Sequence, residues 1–287
     1  MGDSKTFIAV AVAMTAFAGN SVLGRMALLP GDGPALAPSQ FTALRLVSGA
    51  MVLALLVVSR RQRRSAFAFS VPGAMSLFVY AAAFSVAYVR LGAGAGALVL
   101  FAFVQMTMLS VGFVRGERLS TMGVVGLGMA VAGTVVLVAP SADAPDATAM
   151  ATMGVAGVAW GIYSLLGQKS ADALGATAGN FVLATPLAAL LWWTTWSAEA
   201  ELPVRGVMLA VASGAVTSGL GYAIWYRAVR GLTATAAATV QLSVPVIASV
   251  GGAVFIAEMP SLRLVVSTVL VLVGIRLTLP RAQSDDG

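Results

Sequence analysis

The sequence predicts an all-α integral membrane protein with ten transmembrane helices, arranged as two inverted five-helix repeats. Three observations support this fold class. Hydrophobic residues make up 59% of the 287 residues and charged residues only 10%, whereas soluble domains carry about 25% charged residues. Apolar runs long enough to span a bilayer recur along the whole chain. Short motifs in the two halves also match at a nearly constant offset.

The first half contains five apolar runs of spanning length. Lipid favours helices in such runs, because it offers no water to bond backbone groups. A polar linker from Pro140 to Ala149 follows the fifth run. We therefore assign residues 1–140 to a first repeat and residues 141–150 to a linker. The predicted helices are Thr6–Gly24, Pro38–Ser59, Val71–Val89, Gly94–Val114 and Thr121–Ala139.

The second half repeats this organisation with five further apolar runs. We assign residues 151–280 to a second repeat and residues 281–287 to a cytoplasmic tail. The run around Pro186 stays helical in this prediction, although proline removes one backbone hydrogen bond. The predicted helices are Ala151–Gln168, Thr177–Ser197, Val207–Tyr226, Thr233–Ala257 and Leu262–Leu279.

The Lys and Arg residues are distributed unevenly between the predicted loops. With the N-terminus in the cytoplasm, twelve of the 17 fall at cytoplasmic helix ends. The outer half then holds the other five. Cytoplasmic loops of membrane proteins carry the excess of positive charge. The distribution therefore predicts a multi-pass protein of the cytoplasmic (inner) membrane with both termini in the cytoplasm. The five outer residues are Arg25, Arg45, Arg90, Arg205 and Arg263.

Matched residues in the two halves indicate an internal duplication. Glu117 follows the fourth predicted helix and Glu258 follows the ninth, 141 residues later. Gly133 and Gly274 lie in the last helix of each half, also 141 residues apart. Because each half holds an odd number of helices, the second half must cross the membrane in the opposite orientation. Inverted repeats of this kind recur in secondary transporters, where the halves rock around a midplane site.

Several motifs resemble those of one transporter family. Gly19–Arg25 and Phe41–Leu46 resemble segments of the first and second helices in EamA-type members of the drug/metabolite transporter superfamily. Gly116–Ser120, with the sequence GERLS, resembles the turn after the fourth helix, and Gly219–Tyr226 and Gln241–Pro245 resemble the eighth and ninth helices. The resemblance covers nearly the whole chain. It implies ten helices, cytoplasmic termini and a central cavity that carries amino acids, metabolites or drugs, often outward.

The residue types exclude most enzyme chemistry. The chain contains no Cys and no His, so Ser–His and Cys–His nucleophiles and HExxH zinc sites are excluded. No acidic residue lies at the midpoint of a predicted helix, which also excludes an intramembrane aspartyl dyad. We expect no enzymatic activity, no cofactor and no metal site. The net charge of +6 is explained by membrane topology, and we expect no nucleic-acid partner.

Two polar residues within predicted helices of the first half are candidates for solute contact. Asn20 lies near the outer end of the first helix, where it can line a cavity or hydrogen-bond a neighbouring helix. Arg45 lies about 10 Å into the second helix, at 1.5 Å per residue. It can attract a carboxylate or another anion, or it can extend to the membrane surface and bond helix-end carbonyls.

Two amides lie in the matching fourth and ninth predicted helices. Gln105 and Gln241 each offer two donors and one acceptor oxygen, which suits a zwitterionic solute. Buried amides also join packed helices to one another. The sequence leaves cavity lining and helix packing open for both residues.

Aromatic residues in the second half complete the candidate site. Trp160 and Tyr163 share a face of the sixth helix, and Tyr222 and Trp225 share a face of the eighth. Such faces hold apolar groups or attract a cation. Packing between helices, or an interfacial aromatic belt, explains the same pattern.

The features together predict a transporter of small organic solutes that works by alternating access, with export of amino acids or related metabolites as the preferred function. The alternative is a channel or a non-transporting membrane scaffold. The expected partners are a small-molecule solute and membrane lipids, and the protein is expected to be a monomer or a homodimer. Saturable counterflow of a labelled solute would indicate a carrier, and single-channel current steps would indicate a channel.

Overall fold

The protein is a bundle of helices. The computed structural model describes residues 4–31, 33–60, 67–114, 116, 120–139, 145–167, 170–197, 201–228 and 240–278. Helix accounts for 84% of the structure, and the described residues contain no strand. The all-helical part of the fold prediction is therefore confirmed.

The first half contains five helices, and their ends follow local capping rules. Pro38 begins α2 at a position where its missing N–H costs nothing. The side-chain oxygen of Ser70 caps α3 by accepting from the backbone N–H of Gly73, and Ser120 caps α5 in the same way. The helices are α1 (Ser4–Leu28), α2 (Pro38–Ser59), α3 (Val71–Ala87), α4 (Ala93–Val114) and α5 (Thr121–Val138).

The second half contains six α-helices, two of which are joined by a π-helical segment. That segment, Ser213–Leu220, connects α8 and α9 without interruption, so the three pieces form one continuous helical run. The predicted helix between residues 233 and 242 lies mostly outside the described residues. The α-helices are α6 (Ala147–Gly167), α7 (Ala173–Thr194), α8 (Val204–Ala212), α9 (Gly221–Ala228), α10 (Ser243–Ile256) and α11 (Leu262–Thr278).

Two helices begin earlier than their hydropathy predicts, because aspartate caps set the start. Asp146 Oδ1 accepts from the backbone N–H of Ala149 at 2.7 Å, so α6 begins at Ala147 instead of the predicted residue 151. Asp172 caps α7 in the same way. Residues 147–150 of the predicted linker are therefore helical. Polar residues near a helix end hide the first turn from a search for apolar runs.

Six of the described helical runs are long and apolar enough to cross a membrane. The shorter apolar helices Val71–Ala87, Thr121–Leu137 and Ser243–Ile256 accompany them. The prediction of ten spanning helices is thus met only in part by length and composition, and its remaining part stays a prediction. The six runs are Lys5–Leu28, Pro38–Ser59, Ala93–Val114, Ala147–Gly167, Ala173–Thr194 and Val204–Trp225.

Polar side chains lie inside the bundle, and large apolar side chains lie outside it. Asn20, Arg45 and Gln105 are buried, whereas Val114 and Phe7 are 85% and 75% exposed. Water would make this arrangement unfavourable, but lipid solvates apolar side chains and penalises polar ones. The protein is therefore an integral, multi-pass membrane protein.

Glycines allow α5 and α11 to pack closely. A Cβ atom built on Gly133 would lie 3.0 Å from the carbonyl oxygen of Ser267, and one built on Gly126 would lie 2.7 Å from Cβ of Leu277. Small residues of this kind let the backbones of membrane helices approach one another. As the chain advances along α5, its contacts move backward along α11, so the two helices are antiparallel.

The remaining helices surround a core in which both halves take part. α1 packs against α8, the π-helical segment, α9 and α10. α6 packs against α3 and α4, and α2 packs against α7 and the π-helical segment. The centre of the bundle is consequently formed by helices from the first and the second half.

Candidate functional site

Arg45 of α2 is fully enclosed by the bundle. Its side chain is only 2% exposed. Nε donates to Oγ of Ser218 at 3.3 Å, and Nη2 donates to the hydroxyl of Tyr80 at 2.9 Å. The guanidinium carbon lies 4.7 Å from the ring centre of Phe84 and 5.1 Å from that of Tyr80. Arg45 therefore does not extend to the membrane surface.

The third nitrogen of Arg45 has different surroundings. Nη1 is buried and has no hydrogen-bond partner among the described residues. Buried polar atoms in proteins are nearly always hydrogen-bonded, and buried charges are normally paired. The two aromatic faces offset part of this cost through cation–π attraction. Arg45 thus keeps one donor atom available inside the membrane domain.

The π-helical segment brings hydroxyl groups onto Asn20 of α1. Oδ1 of Asn20 accepts from Oγ of Ser213 at 2.9 Å, from Oγ1 of Thr217 at 2.5 Å and from Oγ of Ser218 at 3.3 Å. A π-helix has more than four residues per turn, which places residues 213, 217 and 218 on one side. Ser218 also accepts from Arg45, so one hydrogen-bonded chain runs from α2 through the π-helical segment to α1.

Close packing makes this chain possible. Gly214 contacts the carbonyl oxygen of Arg45, and a Cβ atom built on Gly214 would lie 2.9 Å from the carbonyl carbon of Arg45. Any larger residue would push the π-helical segment away from α2. The sequence prediction that the small residues of this stretch serve close helix contact agrees with this geometry.

An aromatic cluster adjoins the polar chain. The Trp160 ring stacks on Tyr222, with centres 5.3 Å apart and planes 21° apart. Trp160 also lies 4.7 Å from the ring of Tyr80 and 5.3 Å from that of Tyr163. Because Tyr80 bonds Arg45 as well, the cationic group and the aromatic surface meet at a single side chain.

Phe17 extends the aromatic cluster toward α9. Its ring centre lies 5.5 Å from that of Tyr222 and 5.9 Å from that of Trp225. Four aromatic residues predicted from the sequence, Trp160, Tyr163, Tyr222 and Trp225, are thereby connected to one another. Sequence spacing along one helix could not show this, because the contacts join α1, α3, α6 and α9.

The two glutamines take different positions. Gln105 is buried in α4, and the described hydrogen bonds of the Arg45 and Asn20 chain do not include it. Gln241 is half-buried and lies next to the start of α10. Neither residue is part of the aromatic cluster, so the structure unites six of the eight candidate residues and leaves the amides apart.

Five members of this assembly were not singled out as solute-contacting residues in the sequence. Tyr80 and Phe84 lie in α3 within an almost uniformly apolar run, which gives no positional signal. Three others sit in a Ser- and Thr-containing stretch that the sequence assigns only to helix packing. Their shared face depends on the π-helical turn. These three are Ser213, Thr217 and Ser218.

A second polar region lies where α4 begins. A cavity of about 320 Å³ is bordered there by Arg25, Ser249, Glu258, Arg263 and apolar side chains. Nε of Arg25 lies 2.7 Å from Oε1 of Glu258. This charged pair joins α1 to the turn after α10.

Comparison with known proteins identifies the family. The model of the EamA-like transporter family matches residues 148–279. Over 279 residues, 47% are identical between this chain and Uncharacterized protein PA1977 of Pseudomonas aeruginosa, covering 97% of this chain and 96% of the relative. The chain belongs to the EamA-like transporter family.

A solved crystal structure supports the fold. It superimposes with a TM-score of 0.67 over 96% of this chain and 98% of its own, at 20% sequence identity. Members of the EamA-like transporter family are membrane transporters of the drug/metabolite transporter superfamily. The family assignment that the motifs indicated is thus confirmed, and it is consistent with a protein that is not an enzyme.

Within this EamA-like transporter, the matched region includes the aromatic cluster of α6 and α9 and the π-helical segment. The residues that meet them, Asn20, Arg45 and Tyr80, lie in the first half of the chain. The polar chain and the aromatic cluster therefore form a single candidate site that both halves build.

Proposed function

We propose that this EamA-like transporter carries small organic solutes by alternating access, and that it exports amino acids or related metabolites across the cytoplasmic (inner) membrane. The observation that carries the proposal is the junction of a buried cation, a hydroxyl cluster and an aromatic surface between the two halves. Solute sites of secondary transporters lie at such junctions. The proposed solute-contacting residues are Asn20, Arg45, Gln105, Trp160, Tyr163, Tyr222, Trp225 and Gln241.

Two inverted five-helix repeats with ten membrane spans and cytoplasmic termini are part of this proposal. Equivalent contacts support it. A Cβ atom on Gly133 would lie 3.0 Å from the Ser267 carbonyl oxygen, and one on Gly274 would lie 2.5 Å from the Gly126 carbonyl oxygen. Both residues of the first contact move by 141 positions to give the second. A twofold relation between α5 and α11 accounts for this exchange.

Helix caps support the same relation. Ser120 Oγ accepts from the N–H of Gly123 at 3.1 Å, and Ser261 Oγ accepts from the N–H of Leu264 at 3.2 Å. The two serines are 141 residues apart and begin equivalent helices. Packing between helices follows suit, because α1 with α10 corresponds to α6 with α4, while α2 with α7 and α5 with α11 correspond to themselves.

Accessibility labelling tests the orientation of the halves. The natural chain has no cysteine, so single variants Ser120→Cys and Ser261→Cys can be labelled without a background. We expect a membrane-impermeant maleimide, added to intact cells, to label the Ser261 variant and to spare the Ser120 variant until the cells are opened. Labelling of both from the same side would reject the inverted repeat.

A solute screen tests transport itself. The purified protein in liposomes should show saturable counterflow of at least one labelled amino acid or related metabolite. Trp160→Ala should raise KM or abolish counterflow, because Trp160 connects the aromatic surfaces of α3 and α9. Trp193→Ala is the matched control, since Trp193 is 81% exposed. Single-channel currents, or no flux of any solute, would favour the channel or scaffold alternative.

A further inference from the structure

We propose that Arg45 is the receptor for a carboxylate, and that the solute is a small organic acid with one carboxylate and an apolar or aromatic body. The inference rests on the transport function proposed above and narrows it to one substrate class. It depends on the buried Nη1 atom of Arg45 and on the aromatic surface beside it.

The first step of the argument is charge balance. Arg45 is 2% exposed, and no ion pair of the described residues includes it. A guanidinium in a low-dielectric interior needs a counter-charge or a full set of hydrogen bonds. Nε and Nη2 have protein partners, while Nη1 has none among the described residues. An anionic ligand supplies both the missing charge and the missing acceptor.

The second step is geometry. A guanidinium is a planar fork of N–H donors that matches a carboxylate better than a point charge does. Phe84 covers one part of this fork and Tyr80 another, with ring centres 4.7 and 5.1 Å from the guanidinium carbon. Tyr80 Oη and Ser218 Oγ hold the other two nitrogens in place. The fork is therefore oriented before any solute arrives.

The third step concerns the body of the solute. Tyr80 both bonds Arg45 and packs 4.7 Å from Trp160, and Trp160 stacks on Tyr222. A solute held at Nη1 has this aromatic surface within the length of a small side chain. Flat apolar or aromatic groups pack favourably on such surfaces.

The last step is the number of charges. Among the described residues, Arg45 is the only charged side chain classed as buried. No second buried cation is present there for a dicarboxylate, and no buried carboxylate is present there for an ammonium group. The site therefore requires one negative charge and does not require an α-amino group.

Four probes on one skeleton test the inference: 3-phenylpropionate, its neutral amide 3-phenylpropionamide, phenylalanine and phenethylamine. Each is measured by its shift of the thermal unfolding midpoint of the purified protein and by competition with counterflow in liposomes, in chloride-free buffer. We expect 3-phenylpropionate to bind at least about tenfold more tightly than the amide, as a charge-assisted hydrogen bond allows. Phenylalanine should resemble the acid, and phenethylamine should bind weakly.

Variants assign the effect to Arg45. Arg45→Gln should abolish the preference for acid over amide, and Arg45→Lys, which keeps the charge and loses the fork, should retain part of it. Arg90→Gln is the matched control, because Arg90 is exposed and pairs with Asp146 far from the site. If Arg45→Gln does not fold, the lysine variant alone decides, since an unchanged preference there would exclude a role for the fork.

Three results would overturn the inference. They are equal binding of acid and amide, a preference that survives in Arg45→Gln, and no binding of any of the four probes. Stabilisation by added chloride with no further effect of the acid would indicate an inorganic-anion site and would also overturn it. These failures are distinct from failure of the transport proposal, which requires that no solute of the screen shows saturable counterflow.

Discussion

Arg25 and Glu258, which are 233 residues apart in the chain, form an ion pair 2.7 Å long between α1 and the turn after α10. Nη1 of Arg25 also donates to the carbonyl oxygens of Tyr88 and Val89 at the end of α3. Oε2 of Glu258 accepts from the N–H of Ala93, the first residue of α4, at 2.7 Å. One charged pair thereby joins four helices at one end of the bundle.

Replacement of Glu258 by Gln should destabilise the protein by about 2 kcal/mol, since hydrogen bonds to charged groups contribute about this much. The substitution leaves Arg25 partly buried without its counter-charge and weakens the bond to the start of α4. Thermal unfolding in detergent measures the change. Arg90→Gln breaks a more exposed pair and should cost no more than about 1 kcal/mol. Equal effects of the two variants would contradict this prediction.

Gly274→Ala should destabilise the protein by roughly 1–3 kcal/mol, the usual cost of overpacking. Its new methyl group would lie 2.5 Å from the Gly126 carbonyl oxygen and 2.5 Å from the Ala130 backbone nitrogen, neither of which can move freely. Gly128→Ala is the control in the neighbouring helix, because a Cβ there meets nothing within 4 Å. It should be neutral or stabilising by up to about 1 kcal/mol, as alanine favours helix. A stable Gly274→Ala protein would mean that α5 and α11 are not in close contact.

Ser218→Ala should lower stability by about 1 kcal/mol, because it removes the hydroxyl that joins Arg45 to Asn20. Ser267→Ala provides the contrast. Oγ of Ser267 is buried with no hydrogen-bond partner among the described residues, so its removal should be neutral or stabilising. The two unfolding midpoints should move in different directions, or at least by clearly different amounts. A larger loss in the Ser267 variant would contradict the proposed chain.

The cap of α6 should make stability depend on acid pH. The backbone N–H of Ala149, and then the Arg90 guanidinium, hold the pKa of Asp146 below its ordinary value. A carboxyl group with a lowered pKa in the folded state contributes stability above its unfolded pKa. That contribution is lost as the pH falls through the folded pKa. Wild type should therefore exceed Asp146→Asn in unfolding temperature at neutral pH, and the difference should shrink to nothing on acidification. A difference independent of pH would show that the charge of Asp146 is immaterial.

Most of the helical framework could be predicted from local sequence. The start of α2 at Pro38 and its end at Ser59 agree with the prediction, because proline and the polar residues beyond Ser59 mark both ends. The starts of α6 and α7 were less accurate, since capping by Asp146 and Asp172 depends on a few polar residues that hydropathy does not register.

The candidate site was predicted only as separate residues. Asn20, Arg45 and Trp160 attract notice because a polar or aromatic group inside a membrane helix is costly or uncommon. Their partners Tyr80, Ser213 and Ser218 do not stand out in sequences rich in small and apolar residues. Arg45 and Ser218 are 173 residues apart, and no local pattern reports a contact of that span.

Sequence alone was sufficient for the membrane environment, the helix positions and the family, because all three depend on composition and on short-range spacing. Tertiary structure decided which side chains meet. A π-helical turn at Ser213–Leu220 and the close approach at Gly214 bring Ser218 to both Arg45 and Asn20. Both features are stable only through packing against α1 and α2. Their energy comes from the assembled bundle, which is why the isolated segment does not reveal them.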